Sequence, residues 1–222
     1  MITRPLWESL FSYQRIETAP VCHALLTDPK FLALLLRIDH ELAAQVRVNG
    51  CRCGGALHRA DYPRKPRGCP AEVRSEHSSR LSFCCSVCRR RSTSRSVRFL
   101  GQRVYLTLAV VLMSPRPGGA TSAQARLSAL LNVSHRTLVR WRAWWHEQFP
   151  LTSLWRASCA RFMPPLPMRC LPGELLERFA GAADEAAMPE VWMRLLLWLS
   201  PLTIRSETGF QGPVAIELHE VR

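Results

Sequence analysis

The sequence Cys51-Arg52-Cys53-Gly54-Gly55, followed later in the chain by Phe83-Cys84-Cys85-Ser86-Val87-Cys88, decides the fold of this protein. Each stretch carries two cysteines on a short, turn-forming segment. Two such turns that face each other can present four thiolates to one zinc ion, which binds sulfur tetrahedrally. The pattern therefore predicts a zinc ribbon with Cys51, Cys53, Cys85 and Cys88 as the metal ligands.

The spacing of the cysteines leaves the exact ligand set open. Cys85-x-x-Cys88 has the usual spacing of a zinc knuckle, whereas Cys51-x-Cys53 is one residue shorter. Cys84, Cys69 or His58 could therefore replace one of the four ligands. The competing interpretation treats the cysteines as buried, reduced thiols that pack as small apolar side chains. A metal is favoured because the segment has few large apolar residues and needs another source of stability.

Positive charge is concentrated in the same part of the chain. The 222 residues carry a net charge of +13, and residues 51–103 hold thirteen basic against three acidic side chains. Such a patch attracts a polyanion, and nucleic acid is the first expectation. A membrane surface is not expected, because the segment is rich in Pro, Gly and Cys and is not an amphipathic helix. The basic residues are Arg52, Arg59, Arg64, Lys65, Arg67, Arg74, Arg80, Arg89, Arg90, Arg91, Arg95, Arg98 and Arg103.

The loop from Tyr62 to Gly68 predicts an extended basic arm. Its two prolines exclude a helix interior, and its cations Arg64, Lys65 and Arg67 suit contacts with successive phosphates. The alternative is a solvated loop without a partner. Further cations follow the second cysteine pair at Arg89, Arg90 and Arg91. Short strands are predicted at Leu57 to Tyr62 and at Val97 to Leu100.

Two helices are predicted on either side of this segment. Asp28-Pro29 favours a helix start, since a carboxylate suits the N-cap and proline suits the first helical position. Asn49-Gly50 is typical of a helix end. A second helix is predicted from Gln102 to Met113. The expected inward residues are Phe31, Leu34, Leu35, Ile38, Leu42 and Val46 in the first helix, and Val104, Leu108, Val111 and Leu112 in the second.

Residues 121–142 predict a helix-turn-helix. Thr121 or Ser122 can cap the first helix, Ser134 can cap the second, and Asn132 suits a left-handed turn position. In this layout the start of the second helix enters the major groove. The alternative is an ordinary helical hairpin within a core. The predicted inner face is Leu127, Leu131, Val133, Leu138, Trp141 and Trp145, and the predicted outward, nucleic-acid-binding residues are His135, Arg136, Thr137 and Arg140.

The remaining chain predicts a helical C-terminal part, so the fold class is mostly α with a small β zinc ribbon. Helices are expected from Glu174 to Phe179 and from Pro189 to Leu199, and Val214, Ile216 and Leu218 suggest a terminal strand. The expected organisation is an N-terminal helical segment (1–50), the ribbon with its arm (51–100), the helix-turn-helix (101–149), a Pro-rich linker (150–172) and a C-terminal docking segment (173–222).

The cysteine content predicts a cytoplasmic protein. Nine cysteines without an apolar signal segment at the N-terminus indicate a reducing compartment and metal binding, not disulfides. The apolar runs are too short for a membrane span of roughly 18 residues.

The order of cysteine ribbon, basic segment and helix-turn-helix resembles the N-terminal DNA-binding region of bacterial transposases and mobile-element accessory proteins. Residues 50–149 carry the resemblance, through Cys51-x-Cys53-Gly54-Gly55, Cys85-x-x-Cys88 with the arginines after it, and Leu130 to Trp141. It implies binding to element ends, often as a homo-oligomer, and hence a role in transposition or its regulation. It does not extend to a catalytic domain, since no carboxylates after the helix-turn-helix have a strand-borne arrangement that would hold two metal ions.

We therefore expect a non-enzymatic, zinc-containing protein that binds DNA through phosphate contacts of the ribbon and base contacts of the recognition helix. The alternative is a non-catalytic subunit of a larger nucleoprotein complex, in which the ribbon binds RNA or protein and the C-terminal segment docks on a protein partner. A third interpretation is a metal-dependent nuclease, for which His58, His77 and Asp61 are the nearby candidates.

Overall fold

The computed structural model describes residues 24–100, 105–113 and 122–204. Within these residues the protein is mostly helical with two small antiparallel sheets, which confirms the predicted mixture of elements. The strands are β1 Leu57–Arg59, β2 Tyr62–Pro63, β3 Ser79–Arg80, β4 Ser82–Cys85 and β5 Arg91–Thr93. The α-helices are α1 Pro29–Asn49, α2 Thr107–Met113, α3 Ser122–Leu130, α4 His135–Ala143, α5 Ser153–Ser158, α6 Gly173–Ala180 and α7 Met188–Leu199.

Helix α1 begins and ends where its capping residues predict. The Asp28 side chain accepts a hydrogen bond from the Lys30 N–H at 2.9 Å, and Pro29 is the first helical residue. Gly50 follows the last residue with a φ of 67°, a left-handed value that glycine adopts without strain. The buried face of the helix includes Phe31, Leu32 and Leu35.

The two sheets bring the cysteine pairs together. The larger sheet has the order β1-β4-β5, and its register places Leu57 opposite Cys85. Because the strands are antiparallel, the turn that precedes β1 lies beside the turn that follows β4. The smaller sheet pairs β2 with β3, with Tyr62 opposite Arg80.

The predicted strands are only partly present. The expected strand from Leu57 to Tyr62 is divided into β1 and the start of β2, with Ala60 and Asp61 between them. The predicted strand from Val97 to Leu100 is wrong. The Val97 N–H donates to the Asp39 carboxylate at 2.7 Å and so is not available to a ladder, and Phe99 makes only an isolated bridge to Leu106.

Helix α2 begins later than the sequence predicts. Residues 101–104, including Val104, lie outside the described part of the chain. Tyr105 and Leu106 form isolated bridges with Arg67 and Phe99, so the helix begins only at Thr107. Its residues Leu108 and Val111 are buried, as predicted.

Helices α3 and α4 flank a short turn at the predicted place. Asn132 has a φ of 51°, which confirms the left-handed turn position. Helix α4 follows Ser134 and continues into one π-helical turn at Trp144–Gln148. All six residues of the predicted inner face are buried, namely Leu127, Leu131, Val133, Leu138, Trp141 and Trp145.

The proline-rich stretch 150–172, which the sequence predicts as a partly extended linker, folds against the main core. It contains α5 and two short 3-10 turns, and Trp155, Leu166 and Leu171 are buried in the main core. The large apolar residues between the prolines fasten the chain to the core. The predicted helices beyond it are present as α6 and α7, whereas Val214, Ile216 and Leu218 lie outside the described residues.

No helix in the described ranges has the length and apolar character that a membrane crossing requires.

A buried ion pair connects α1 to the chain after β5. The Asp39 carboxylate is 2.7 Å from Arg98 Nε, and both side chains are fully buried. The same carboxylate accepts hydrogen bonds from the Ser96 hydroxyl at 2.6 Å and from the Val97 N–H at 2.7 Å. Arg98 in turn donates to the Ser79 carbonyl of β3 at 3.1 Å. The pair therefore joins the helical core to the smaller sheet.

Arg80 extends this network to the C-terminal part. Its guanidinium donates to the Ser94 carbonyl at 2.5 Å and to the Thr203 hydroxyl at 3.4 Å, and the side chain is buried. The Thr203 hydroxyl also accepts from the Ser96 N–H at 2.9 Å. Arg80 and Arg98 belong to the basic patch that the sequence predicts. Both are buried, so neither contributes to the exposed basic surface.

Replacing Asp39 by Asn should destabilise the protein strongly. The substitution leaves Arg98 buried without its counter-charge, and breaking a buried pair costs about 3–5 kcal/mol. Urea unfolding at neutral pH measures the loss. The control is Glu174→Gln, which removes a half-exposed pair with Arg178 at 3.8 Å on α6 and should cost about 0.5 kcal/mol or less. Equal losses in the two variants would contradict the role of the buried pair.

Candidate metal centre and basic groove

The four predicted cysteine ligands lie together. The sulfur atoms of Cys51, Cys53, Cys85 and Cys88 are all within 4.8 Å of one another. Cys53 Sγ is 3.4 Å from Cys85 Sγ and 3.5 Å from Cys51 Sγ, and Cys51 Sγ is 3.5 Å from Cys88 Sγ. Among the described residues this is the one group of three or more Cys, His, Asp or Glu side chains close enough to share a metal ion.

The sulfur spacing fits a metal and not a disulfide. A disulfide requires sulfurs about 2.0 Å apart, and all eight cysteines in the described ranges are free thiols. Zinc holds thiolates at about 2.3 Å in a tetrahedron, which separates neighbouring sulfurs by about 3.8 Å. The observed separations lie close to that value, so the four residues could hold a metal ion with small adjustments.

The backbone around the cluster favours thiolates at two of the four positions. Hydrogen bonds from the N–H groups of Cys88 and Val87 lower the pKa of Cys85 to about 6, although burial opposes them. The Gly55 N–H lowers the pKa of Cys53. The backbone N–H of Cys53 donates a hydrogen bond to the Cys51 thiol, which on its own would lower the pKa of Cys51. Its bonds to the neighbouring thiols nevertheless raise the pKa of Cys51 to about 12. A bound cation would remove this competition for protons, because a coordinated thiol ionises outright.

Gly55 allows the two cysteine turns to approach each other. A Cβ atom at this position would lie 2.6 Å from Cys85 Sγ and 2.9 Å from Val87 Cγ2, closer than van der Waals contact permits. Gly54 has a φ of 79° and open space around it, so it serves the turn and not the contact. Glycine is thus required at position 54 by the backbone conformation and at position 55 by the close contact with Cys85 and Val87.

The three alternative ligands lie elsewhere. Cys84 is the residue before Cys85, but its thiol is directed at the Arg89 carbonyl at 3.5 Å. His58 pairs with Cys84 across the sheet and its side chain is exposed. Cys69 is buried in the main apolar core, where burial raises the pKa of its thiol to about 11.

The apolar core around the four sulfurs is small. In the described chain it comprises five buried residues, with Cys51 and Cys88 packed against it. A cluster of this size cannot offset the conformational entropy of the ribbon, whereas a structural metal contributes folding free energy directly. The five residues are Ala43 of α1 together with Leu57, Leu81, Phe83 and Cys85.

A groove of about 1230 Å³ separates the basic arm from the turn between α3 and α4. One wall carries Arg64, Lys65 and Arg67, with Arg74 beside them, and the other carries residues from Asn132 to His135. All residues that line the groove lie in the described ranges, and none of them is Asp or Glu. The groove therefore has cations on one wall and no carboxylate on either wall.

The arm is held to the protein by its backbone. Arg64 N donates to the Ser78 carbonyl at 2.6 Å, and Leu106 N donates to the Arg67 carbonyl at 3.1 Å. Pro66 is buried, whereas the side chains of Lys65 and Arg67 are exposed. The predicted arm is thus a fixed wall that presents cations, and not a loop that extends freely from the ribbon.

The first two turns of α4 expose three of the four predicted contact residues. His135, Arg136 and Arg140 are exposed. The prediction that Thr137 projects outward is wrong, because its side chain is 4 % exposed and its hydroxyl bonds to neighbouring side chains. Arg140 Nη2 donates to this hydroxyl at 3.1 Å, so Thr137 orients an exposed arginine instead.

The arginines after the second cysteine pair differ from one another. Arg89 and Arg90 are exposed, and Arg89 has a φ of 57° in the turn. Arg91 donates to the Ala60 carbonyl at 2.5 Å and lies 5.4 Å from the Tyr62 ring centroid. The Arg91 side chain therefore connects the larger sheet to β2 of the smaller sheet.

The residues considered for a nuclease have structural contacts. The Asp61 carboxylate accepts from Arg59 Nε at 2.5 Å and from the Ser82 N–H at 2.9 Å. His77 is buried beside Arg98, and burial lowers the pKa of its imidazole to about 4, with the Arg98 charge adding to the shift. The exposed His58 is the third of these candidates.

Comparison with known proteins finds no matching family model, no matching curated protein and no matching solved structure.

Two residues of the groove, Tyr105 and Arg74, are not among the contact residues that the sequence predicts, although Arg74 belongs to the predicted basic patch. Tyr105 lines the groove and its hydroxyl lies 3.4 Å from Thr137 Oγ1. Arg74 is held beside the arm by a bond to the Cys69 carbonyl at 3.2 Å. A lone tyrosine at the start of a predicted helix carries no pattern, so only the fold reveals its place.

Replacing Cys85 by Ser should abolish tight metal binding. Serine oxygen is a poor zinc ligand, and three thiolates cannot close the tetrahedron. The metal content of protein purified without chelators, measured by plasma mass spectrometry, gives the outcome. The matched control is Cys84→Ser, which removes the adjacent thiol and should retain the metal. If the Cys85 variant kept its metal and the Cys84 variant lost it, Cys84 and not Cys85 would be the metal ligand.

Proposed function

We propose that this protein is a zinc-containing DNA-binding protein in which a metal-held ribbon fixes a basic arm opposite a recognition helix. The observation that carries the proposal is the groove, because cations from the arm and the exposed start of α4 line one cleft without any carboxylate. A polyanion is the ligand class that such a surface attracts. The four-cysteine cluster supports zinc as the metal that stabilises the ribbon.

The two walls of the groove suit different parts of a nucleic acid. Arg64, Lys65 and Arg67 offer cations along one edge, which suits phosphate contacts that supply affinity. On the helix side, His135 lines the groove, and Arg136 and Arg140 are exposed on the same helix α4, where a helix-turn-helix protein reads base edges. Arginine there favours guanine, which offers two acceptors in the major groove.

The order of ribbon, basic segment and paired helices also supports a role at the ends of a mobile element or in its regulation. That role follows from the resemblance to the DNA-binding region of bacterial transposases, and it brings with it the expectation of a homo-oligomer. On this proposal the chain acts by binding and not by catalysis.

Selection of duplex DNA from a random pool tests the proposal directly. Wild-type protein should enrich a short motif. A pool without enrichment, together with retention of RNA or of a protein partner, would overturn the proposal and favour the non-catalytic subunit of a nucleoprotein complex.

The same selection assigns Arg140. Replacing it by Ala should relax the enriched motif at one base pair, with a loss of about 1–3 kcal/mol of discrimination there. The control is Arg126→Ala, which removes an exposed arginine from α3 and should leave the motif unchanged. A wild-type motif from the Arg140 variant would remove this residue from the base-reading set.

Replacing Arg64, Lys65 and Arg67 together by Ala should weaken binding to every duplex and reduce its salt dependence. Each lost phosphate contact lowers the slope of log affinity against log salt by about 0.9. Titrations at several salt concentrations measure the slope. The control removes three exposed arginines outside the groove, Arg156, Arg161 and Arg169, and should preserve it. Equal slopes in the arm variant and the wild type would exclude the arm from phosphate contact.

A further inference from the structure

Three hydroxyl groups meet on the floor of the groove. The Thr137 hydroxyl lies 3.4 Å from the Tyr105 hydroxyl and 3.2 Å from the Ser134 hydroxyl. It also accepts a hydrogen bond from Arg140 Nη2 at 3.1 Å. All three hydroxyl-bearing residues line the groove, together with the arm residues Arg64, Lys65 and Arg67.

Tyr105 connects this cluster to the arm. Its backbone forms a parallel bridge with Arg67, and the positive charge of the Arg67 side chain acts on its hydroxyl. The ring is half-buried and packs edge-on against Trp141 of α4, with centroids 5.0 Å apart. The hydroxyl is thus held between a cation of the arm and the first turns of α4.

The cluster has more donors than acceptors. Each hydroxyl contributes one hydrogen, and the guanidinium groups of Arg67 and Arg140 contribute only donors. The acceptors within the cluster are the three hydroxyl oxygens, and Thr137 already accepts from Arg140. Since the lining of the groove contains no Asp or Glu, none of its side chains supplies a carboxylate to balance the donors. An anion with several oxygens would complete the network.

The electrostatic environment of the Tyr105 hydroxyl also favours negative charge. Burial raises the pKa of the Tyr105 hydroxyl, but its hydrogen bond with Thr137 and the charges of Arg67 and Arg140 outweigh burial and lower it. Negative charge is therefore favoured at this point of the groove.

We propose that the hydroxyls of Tyr105 and Ser134 and the guanidinium of Arg67 form a seat for one backbone phosphate of the bound DNA. Thr137 is the positioning residue, because it holds both hydroxyls and Arg140 in one network. This inference rests on the proposed DNA-binding function and adds a named phosphate site to it. One phosphate held between arm and helix would set the register in which α4 meets the bases.

Replacing Tyr105 by Phe removes one donor and keeps the ring against Trp141. Affinity for the duplex enriched by the wild-type protein should fall roughly tenfold or more, because a hydrogen bond to a charged group is lost. The salt slope should not change, since no cation is removed, and the enriched motif should stay the same. The control is Ser153→Ala, which removes an exposed hydroxyl of α5 that is outside the lining of the groove and should leave affinity unchanged.

A scan of the same duplex with single methylphosphonate linkages locates the phosphate. At one linkage the substitution should weaken the wild-type protein and have little further effect on the Tyr105 variant. At all other linkages the two proteins should lose affinity in parallel. Parallel losses at every linkage would overturn the seat.

A second variant guards against a folding defect. Ser134→Ala removes another donor of the seat, and within the described chain the Ser134 side chain makes no capping hydrogen bond that its loss would break. Weaker binding by both variants supports the seat. Wild-type affinity in both would overturn it while leaving the DNA-binding proposal intact. A wild-type protein that enriches no duplex would instead overturn the proposed function, and the seat with it.

Discussion

Four cysteine sulfurs held within 4.8 Å of one another impose the constraint on which this structure depends. Thiols at that distance compete for protons, and one cation removes the competition by ionising them together. The surrounding apolar core is too small to hold the turns in place alone. The antiparallel pairing of β1 with β4 places both turns at one end of the sheet, and Gly55 allows them to meet.

A second constraint connects this ribbon to the helices. Asp39 of α1 accepts three hydrogen bonds from residues 96–98, and Arg98 continues to β3, the partner of β2. The arm follows β2 directly, so its position depends on the cysteine end of the ribbon and on this buried pair. Tyr105 then joins the arm to α4. The groove between arm and helix is thus the product of long-range contacts, although each wall is a local segment.

What could be predicted from the sequence is local. The capping residue Asp28 and the left-handed Asn132 act through neighbours a few positions away, and the structure confirms both. Each cysteine pair is also a short local motif, although the two pairs meet only through the pairing of β1 with β4. The buried pair joins residues that are 59 positions apart, and no local pattern marks it. Arginine in a basic stretch suggests an exposed surface. Burial of Arg98 becomes favourable only when a distant carboxylate lies beside it.

The errors have the same origin. Val97 to Leu100 has the composition of a strand, but the Asp39 carboxylate takes a backbone N–H that a ladder would need. Thr137 is at an outward position on the helical pattern, but its side chain is buried and its hydroxyl lies 3.4 Å from the Tyr105 hydroxyl. In each case a tertiary contact overrides a local preference. The position of the groove could not be predicted for the same reason, because its two walls meet only in the folded chain.

The most direct test of the central claim is X-ray absorption at the zinc edge on protein purified without chelators. The account predicts one zinc per chain with four sulfur neighbours at about 2.3 Å. Protein without bound zinc, or a first shell dominated by nitrogen and oxygen, would contradict it.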